Sequence, residues 1–156
     1  YKLLIEKEEK IADKELENRQ LKDIVNQESS TNADGKDRQQ EELASKVAKA
    51  INNPRYLFDA DFSLDMLSRE VGSNVKYTSQ AIHDLYHQNF RQVVNELRIR
   101  KALTKIVEDR NSTIKDIACL LGYNSTTSFI IAFKKIVGMT PAVYKKLKLE
   151  EAKKAV

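Results

Sequence analysis

The sequence predicts an all-α protein with two short helix–turn–helix units joined by a long linker helix, behind a charged helical arm. Three observations predict it. The 156 residues hold 4 Gly, 2 Pro and no Trp, with many Leu, Ile, Ala, Glu and Lys, a composition that favours helix. No long stretch alternates apolar and polar residues as a strand would. A pattern of polar cap, short amphipathic run, glycine and second amphipathic run occurs twice. The length suffices for one domain of ordinary size plus an appendage. A hydrophobic content of 41% supports a core, and 32% charge supplies a solvated surface.

Residues 1–25 contain no Gly or Pro and carry dense opposite charges at helical spacing. Leu4, Ile11, Asn18 and Val25 recur every seven residues and Leu21 falls at a matching d position, but Lys7 and Lys14 occupy the other d positions. Two readings stand: a charged, solvated helix, and a weak coiled coil forming a homodimer with Asn18 at an a position. The chain starts at Tyr1 without Met, and we read it as a fragment of a longer protein. Residues 26–38, polar and containing Ala33-Asp34-Gly35, read as a flexible linker. A helix is expected from near Asp37 to about Asn52, with Leu43, Val47, Ala50 and Ile51 on one face, ending before Asn53-Pro54.

The domain proper is placed at 39–146. Its first unit, 62–90, opens at Ser63 as N-cap, continues through Leu64, Leu67 and Val71, and turns at Gly72. Asn74 caps a second helix with Tyr77, Ala81, Ile82 and Leu85 on its buried side. A linker helix at 91–108 offers Val94, Leu97, Ile99, Ala102 and Ile106 as core positions. The second unit, 112–146, repeats the pattern. Ser112 or Thr113 caps Ile114, Ile117, Ala118 and Leu121, and Gly122 turns. Asn124 or Ser125 caps a helix with Phe129, Ala132, Phe133 and Ile136, and Gly138 closes it. Pro141 opens a last helix, and 147–156 form a helical tail. Both glycines lie eight residues after the first apolar position of their unit (Leu64 and Ile114), with Asn74 and Asn124 two positions beyond.

A helix-turn-helix needs a support helix, a tight turn and a second helix whose free face enters the major groove. In the first unit that face carries Lys76, Ser79, Gln80 and His83. In the second it carries Ser125, Thr126, Thr127, Ile130 or Ile131, and Lys134. Asn74 and Asn124 place helix N-termini where phosphates would sit. The charge distribution agrees. Residues 1–40 hold 8 Lys/Arg against 10 Asp/Glu, whereas 41–156 hold 19 against 13, so the basic excess accompanies the repeated units.

Other classes find less support. Cys119 is the single cysteine, which excludes an intrachain disulfide and leaves no zinc cluster; it reads as a core residue of its helix. His83 and His87 lie four apart, but no carboxylate or thiol near them completes a metal site, and no cofactor is expected. There is no 18-residue apolar run and no signal-peptide pattern, so the chain reads as cytoplasmic. No phosphate loop or nucleophile–base pattern points to an enzyme. The alternative to DNA binding is an all-α protein-interaction module on a coiled-coil arm.

The segments Phe62–Ala102 and Thr113–Lys145 resemble the two halves of the AraC/XylS-type DNA-binding domain. The run TIKDIACLLGYNSTTSFIIAFKKIVGMTPAVYK is the more specific. The wording of the first segment is similar to regulators of Bacteroidetes-type bacteria, some of them membrane-tethered sensors. The resemblance implies a homeodomain-like fold in which each unit places its second helix in a successive major groove. By position, the recognition helices are Val75–Tyr86 and Ser125–Val137. Leu121, Gly122, Phe129, Phe133, Gly138, Pro141 and Tyr144 fall on framework positions. The residues implied to face DNA are Asn74, Lys76, Tyr77, Ser79, Gln80, His83, Asn124, Ser125, Thr126, Thr127, Ile131, Lys134 and Lys135. Many members carry Arg where this chain has Gln80 and Ile131, so the first unit is expected to carry more sequence information. His87 stands where glycine is frequent. Double-stranded DNA is the implied partner, RNA polymerase a further one, and a sensor domain is missing from the chain.

Overall fold

The computed structural model describes residues 34–155, and every regular element among them is helical. The expectation of an arm at 1–25, and of its dimerisation, lies outside the described residues. The helices are α1 (Asp34–Ile51), α2 (Pro54–Leu57), α3 (Leu64–Glu70), α4 (Val75–Tyr86), α5 (Phe90–Glu108), α6 (Ile114–Leu120), α7 (Thr126–Val137) and α8 (Pro141–Lys154). Helix α1 starts at Asp34 rather than near Asp37, so the last residues assigned to the linker are helical. The run of Gln, Glu, Ala and Lys that follows outweighs one glycine in the first turn. The single turn α2 was not expected; Pro54 opens it at the position where a missing N–H costs nothing. Residues 147–154 continue α8 and form no separate element.

The described residues divide into two compact units, one of 34–53 with 63–93 and one of 54–62 with 94–155; α5 passes from the first to the second between Val93 and Val94. In the first unit α1 packs on α3 and α4. Val47, Ala50 and Ile51 of α1 are buried, as are Leu67, Val71, Ala81 and Ile82 from the helix pair. Full burial of a side chain such as Leu67 or Ile82 contributes about 1.5–3 kcal/mol. The second unit is built around an aromatic row. Tyr123 meets Phe129 at 5.3 Å between ring centroids, Phe129 meets Phe133 at 5.8 Å, and Phe133 meets Tyr144 at 5.7 Å. Ile99, Ala102 and Ile106 of α5 are buried in this unit, with Ile117, Ala118 and Leu121. Leu97 is half-buried, while Val93 and Leu103, not singled out from the sequence, are core residues.

Candidate nucleic-acid interface

Each helix of the two pairs is fixed at its N-terminus by a side chain that accepts a hydrogen bond from one of the amides left without an intrahelical partner. Ser63 Oγ accepts from Met66 N at 3.2 Å, and Asn74 Oδ1 accepts from Tyr77 N at 2.9 Å. In the second unit Thr113 and Asp116 form a reciprocal capping box. The Thr113 hydroxyl bond holds the Asp116 carboxyl below its ordinary range. Ser125, not Asn124, caps α7, with Oγ accepting from Ser128 N at 3.1 Å. The repeat is therefore offset by one residue after its glycine. Four residues separate α3 from α4, and five separate α6 from α7. Asn124 lies exposed in the longer turn.

Helix register then pairs Gln80 with Ile131, His83 with Lys134, and Thr78 with Phe129. Both members of the last pair are fully buried. Tyr77, which the helical pattern places on the buried side and the family resemblance sets toward DNA, is 59% exposed, and Thr78 takes the inner position with its hydroxyl donating to Asn74 O at 2.8 Å. At about 100° per residue, Lys76, Gln80 and His83 point away from the buried Thr78 and Ile82, and Ser79 and Tyr77 flank them. All five are exposed.

On α7 the exposed face carries Thr127, Ile131, Lys134 and Lys135, with Thr126 half-buried. Ile131 is 63% exposed, an apolar side chain at the position matching Gln80, whereas Ile130 is half-buried. The basic residues of this unit sort by engagement. Lys145 Nζ donates to Ser112 O at 2.9 Å and Lys148 lies over the Tyr144 ring at 5.5 Å, so both serve the fold. Lys134 stands on the α7 face. Among the described residues no cluster of three or more His, Cys, Asp or Glu could hold a metal. The His83 and His87 rings meet edge-on at 6.4 Å. The sequence reading of Cys119 as core is corrected: it is exposed, because Ile117 and Ala118 of α6 and Leu121 just beyond it face inward, which turns Cys119 and Leu120 outward.

The turn of the second unit is locked by residues that sequence reasoning missed. The Arg98 guanidinium is buried, with Nε donating to Leu57 O at 2.7 Å and Nη2 to Asp59 O at 2.8 Å. It lies over the Tyr123 ring at 5.4 Å, and the Tyr123 hydroxyl donates to Asn95 Oδ1 at 3.0 Å. Burial pushes the Arg98 pKa down and raises the Tyr123 phenol to about 12. Gly122 completes the lock. Its φ is +86°, and a Cβ there would lie 2.7 Å from Phe58 O. His87 closes α4 at φ 54°. Its counterpart Gly138 closes α7 at φ 92°. Both terminate their helix in the left-handed conformation, in which glycine is the least strained residue. Asp84 was also missed; it accepts from Gln80 at the i,i+4 spacing that could have found it.

The helix-turn-helix domain family matches residues 67–147 of this chain. The chain is 28% identical over 112 residues to the HTH-type transcriptional regulator YtdP of Bacillus subtilis, covering 72% of this chain and 14% of that protein. It is 25% identical over 124 residues to the melibiose operon regulatory protein of Escherichia coli, covering 80% of this chain and 40% of that one. It thus spans less than half the length of either relative. Among solved structures, a DNA-binding transcriptional dual regulator from Escherichia coli K-12 superposes with a TM-score of 0.57 at 25% identity, covering 67% of this chain and 95% of that one. With two capped helix pairs, an exposed second helix in each and this family match, the chain belongs to the AraC-type helix-turn-helix family of DNA-binding transcriptional regulators.

Proposed function

We propose that this domain reads double-stranded DNA through α4 and anchors to it through α7, as the output domain of a larger regulator. The observation that carries the reading is the difference between the two exposed faces: Lys76, Ser79, Gln80 and His83 on one, and Thr127, Ile131 and Lys134 on the other. A glutamine amide can pair bidentately with adenine, whereas an exposed isoleucine can meet only apolar groups such as the thymine methyl. Asn74, Tyr77, Asn124, Ser125, Thr126 and Lys135 are assigned to the positioning of the helices and of phosphates around them. No described helix is long and apolar enough to cross a membrane. We place the domain in the cytoplasm with a sensory region elsewhere in the full protein, which a membrane tether would also allow. RNA polymerase is the partner that activation of transcription would require, and residues 1–25 are the candidate dimerisation segment. Catalysis has no part in this reading.

Titration of labelled cognate and random duplexes at two salt concentrations tests it. Gln80→Ala is expected to weaken cognate binding by about 1–3 kcal/mol and to relax specificity at one position. Lys134→Ala should weaken all duplexes alike and flatten the salt slope. Equal losses on cognate and random DNA for both variants would sink the division of roles. No salt-dependent binding to any duplex, DNA from the protein's own promoter regions included, would favour an interaction module instead.

A further inference from the structure

The exposed face of α4 contains one residue that works against DNA affinity: Asp84. Its carboxylate lies one turn beyond Gln80 and accepts a hydrogen bond from Gln80 Nε2 at 2.8 Å. We propose that Asp84 is a specificity-determining positioning residue, which acts through Gln80 to restrict it to adenine. The inference rests on the assignment of Gln80 as a base reader.

The chemistry of the pair fixes which way the amide points. An ionised carboxylate only accepts hydrogen bonds, so the group that faces it must be the NH2 and not the carbonyl of Gln80. The usual ambiguity between the two ends of a glutamine amide is thereby removed. The N–H nearer the carbon stem is the one that can turn back toward the next helical turn. The remaining edge of the amide then presents one acceptor, Oε1, beside one donor, the other N–H. Adenine offers the complement in the major groove, a donor at N6 beside an acceptor at N7. Guanine offers two acceptors, N7 and O6, and is matched only by an amide free to aim both N–H groups at the base. A tethered Gln80 loses that freedom.

The second unit supplies an internal comparison. Ile131 and Lys135 hold the positions in α7 that match Gln80 and Asp84, so the acidic residue accompanies the amide and is replaced by a basic one where no amide needs orientation. A carboxylate so placed repels nearby phosphates. It therefore lowers binding to every duplex while raising the contrast between adenine and guanine at one of them.

The test uses the full chain and a duplex selected by the wild-type protein from a random pool. The base pair read by Gln80 is located as the one whose substitution no longer matters in Gln80→Ala, and is then presented as A·T or as G·C. Asp84→Asn and Asp84→Ala are expected to bind both duplexes more tightly than wild type does, while the adenine preference at that pair falls at least fivefold and preferences elsewhere stay unchanged. Asp84→Glu, which can still reach Gln80 with an oxygen, should retain the preference. Unchanged urea midpoints in all three would exclude a merely structural effect. Retention of the full adenine preference by Asp84→Asn and Asp84→Ala, while Gln80→Ala loses it, would overturn the positioning role and leave the reader assignment standing. If Gln80→Ala leaves every base preference unmoved, the reader assignment falls, and this inference with it.

Discussion

The substitution Gly122→Ala separates two costs that are usually confounded at a turn glycine. Gly72 and Gly122 occupy equivalent turns and both have positive φ, +68° and +86°. An alanine at either pays the left-handed penalty of roughly 1–2 kcal/mol. Each also recovers roughly 0.4–1 kcal/mol from the reduced freedom of the unfolded chain. These contributions cancel in a comparison. The environment does not cancel: a Cβ on Gly72 meets nothing within 4 Å, whereas one on Gly122 would lie 2.7 Å from Phe58 O, 2.8 Å from Phe58 C and 3.0 Å from Arg98 Nη2. Two of those three atoms are backbone, in a segment held by the bonds from Arg98 to Leu57 O and Asp59 O, so they cannot swing aside. Overpacking of this kind costs about 1–3 kcal/mol, and Gly122→Ala should be less stable than Gly72→Ala by that amount. Urea unfolding followed by far-ultraviolet circular dichroism measures the difference directly. Two variants within about 0.5 kcal/mol of each other, below the lower bound for overpacking, would refute the close approach.

The same cluster yields two further expectations. Arg98→Met removes the donors to two buried-segment carbonyls and is expected to destabilise the protein by about 2–4 kcal/mol. Arg98→Lys should recover only part of this in urea titrations, since an ammonium lacks the fork that serves both carbonyls; full recovery would show that charge alone suffices. The Tyr123 phenol, raised to about 12 from 10.0 by burial, binds its proton more tightly in the folded state. Its contribution to stability is therefore complete below pH 10 and is lost as pH rises from there toward 12. Tyrosinate absorbance should show one late-titrating group that disappears in Tyr123→Phe, and a wild-type titration with no such group would contradict the burial argument.

Much of this architecture was legible because it is written in local chemistry. Ser63, Asn74 and Thr113 cap the helices they were expected to cap, and Gly72, Gly122 and Gly138 have the positive φ that their positions required. Cys119 was legible too, and was misread. Ile114, Ile117, Ala118 and Leu121 define one face at 3.6-residue spacing, and Cys119 falls off it. The extra turn residue before α7 was hidden because Asn124 and Ser125 are both good caps, and only the tertiary position of the helix decides between them. The repeat pattern points Tyr77 inward, but the inner position belongs to Thr78, whose hydroxyl returns to the backbone at Asn74 and so can be buried. Arg98 was beyond sequence reading. Its partners lie 39 and 41 residues away, and nothing in the pattern of α5 separates a buried arginine from a solvated one.

The two units solve the same packing problem with different materials, and this bears on where the domain begins. In the second unit, α7 turns Phe129 and Phe133 inward, and the aromatic row from Tyr123 to Tyr144 fills the space beneath it. The matching inward residues of α4 are Thr78 and Ile82, smaller side chains that cannot fill the same volume. Helix α1 makes up the difference, since Val47, Ala50 and Ile51 are buried in that unit and α1 packs on both α3 and α4. Removing α1 would expose the back of the helix that carries Gln80 and Asp84, loosening the surface that we propose reads bases. The family match starts at residue 67 and omits α1. In physical terms the first unit starts with α1, whose buried face supports the helix that carries Gln80 and Asp84.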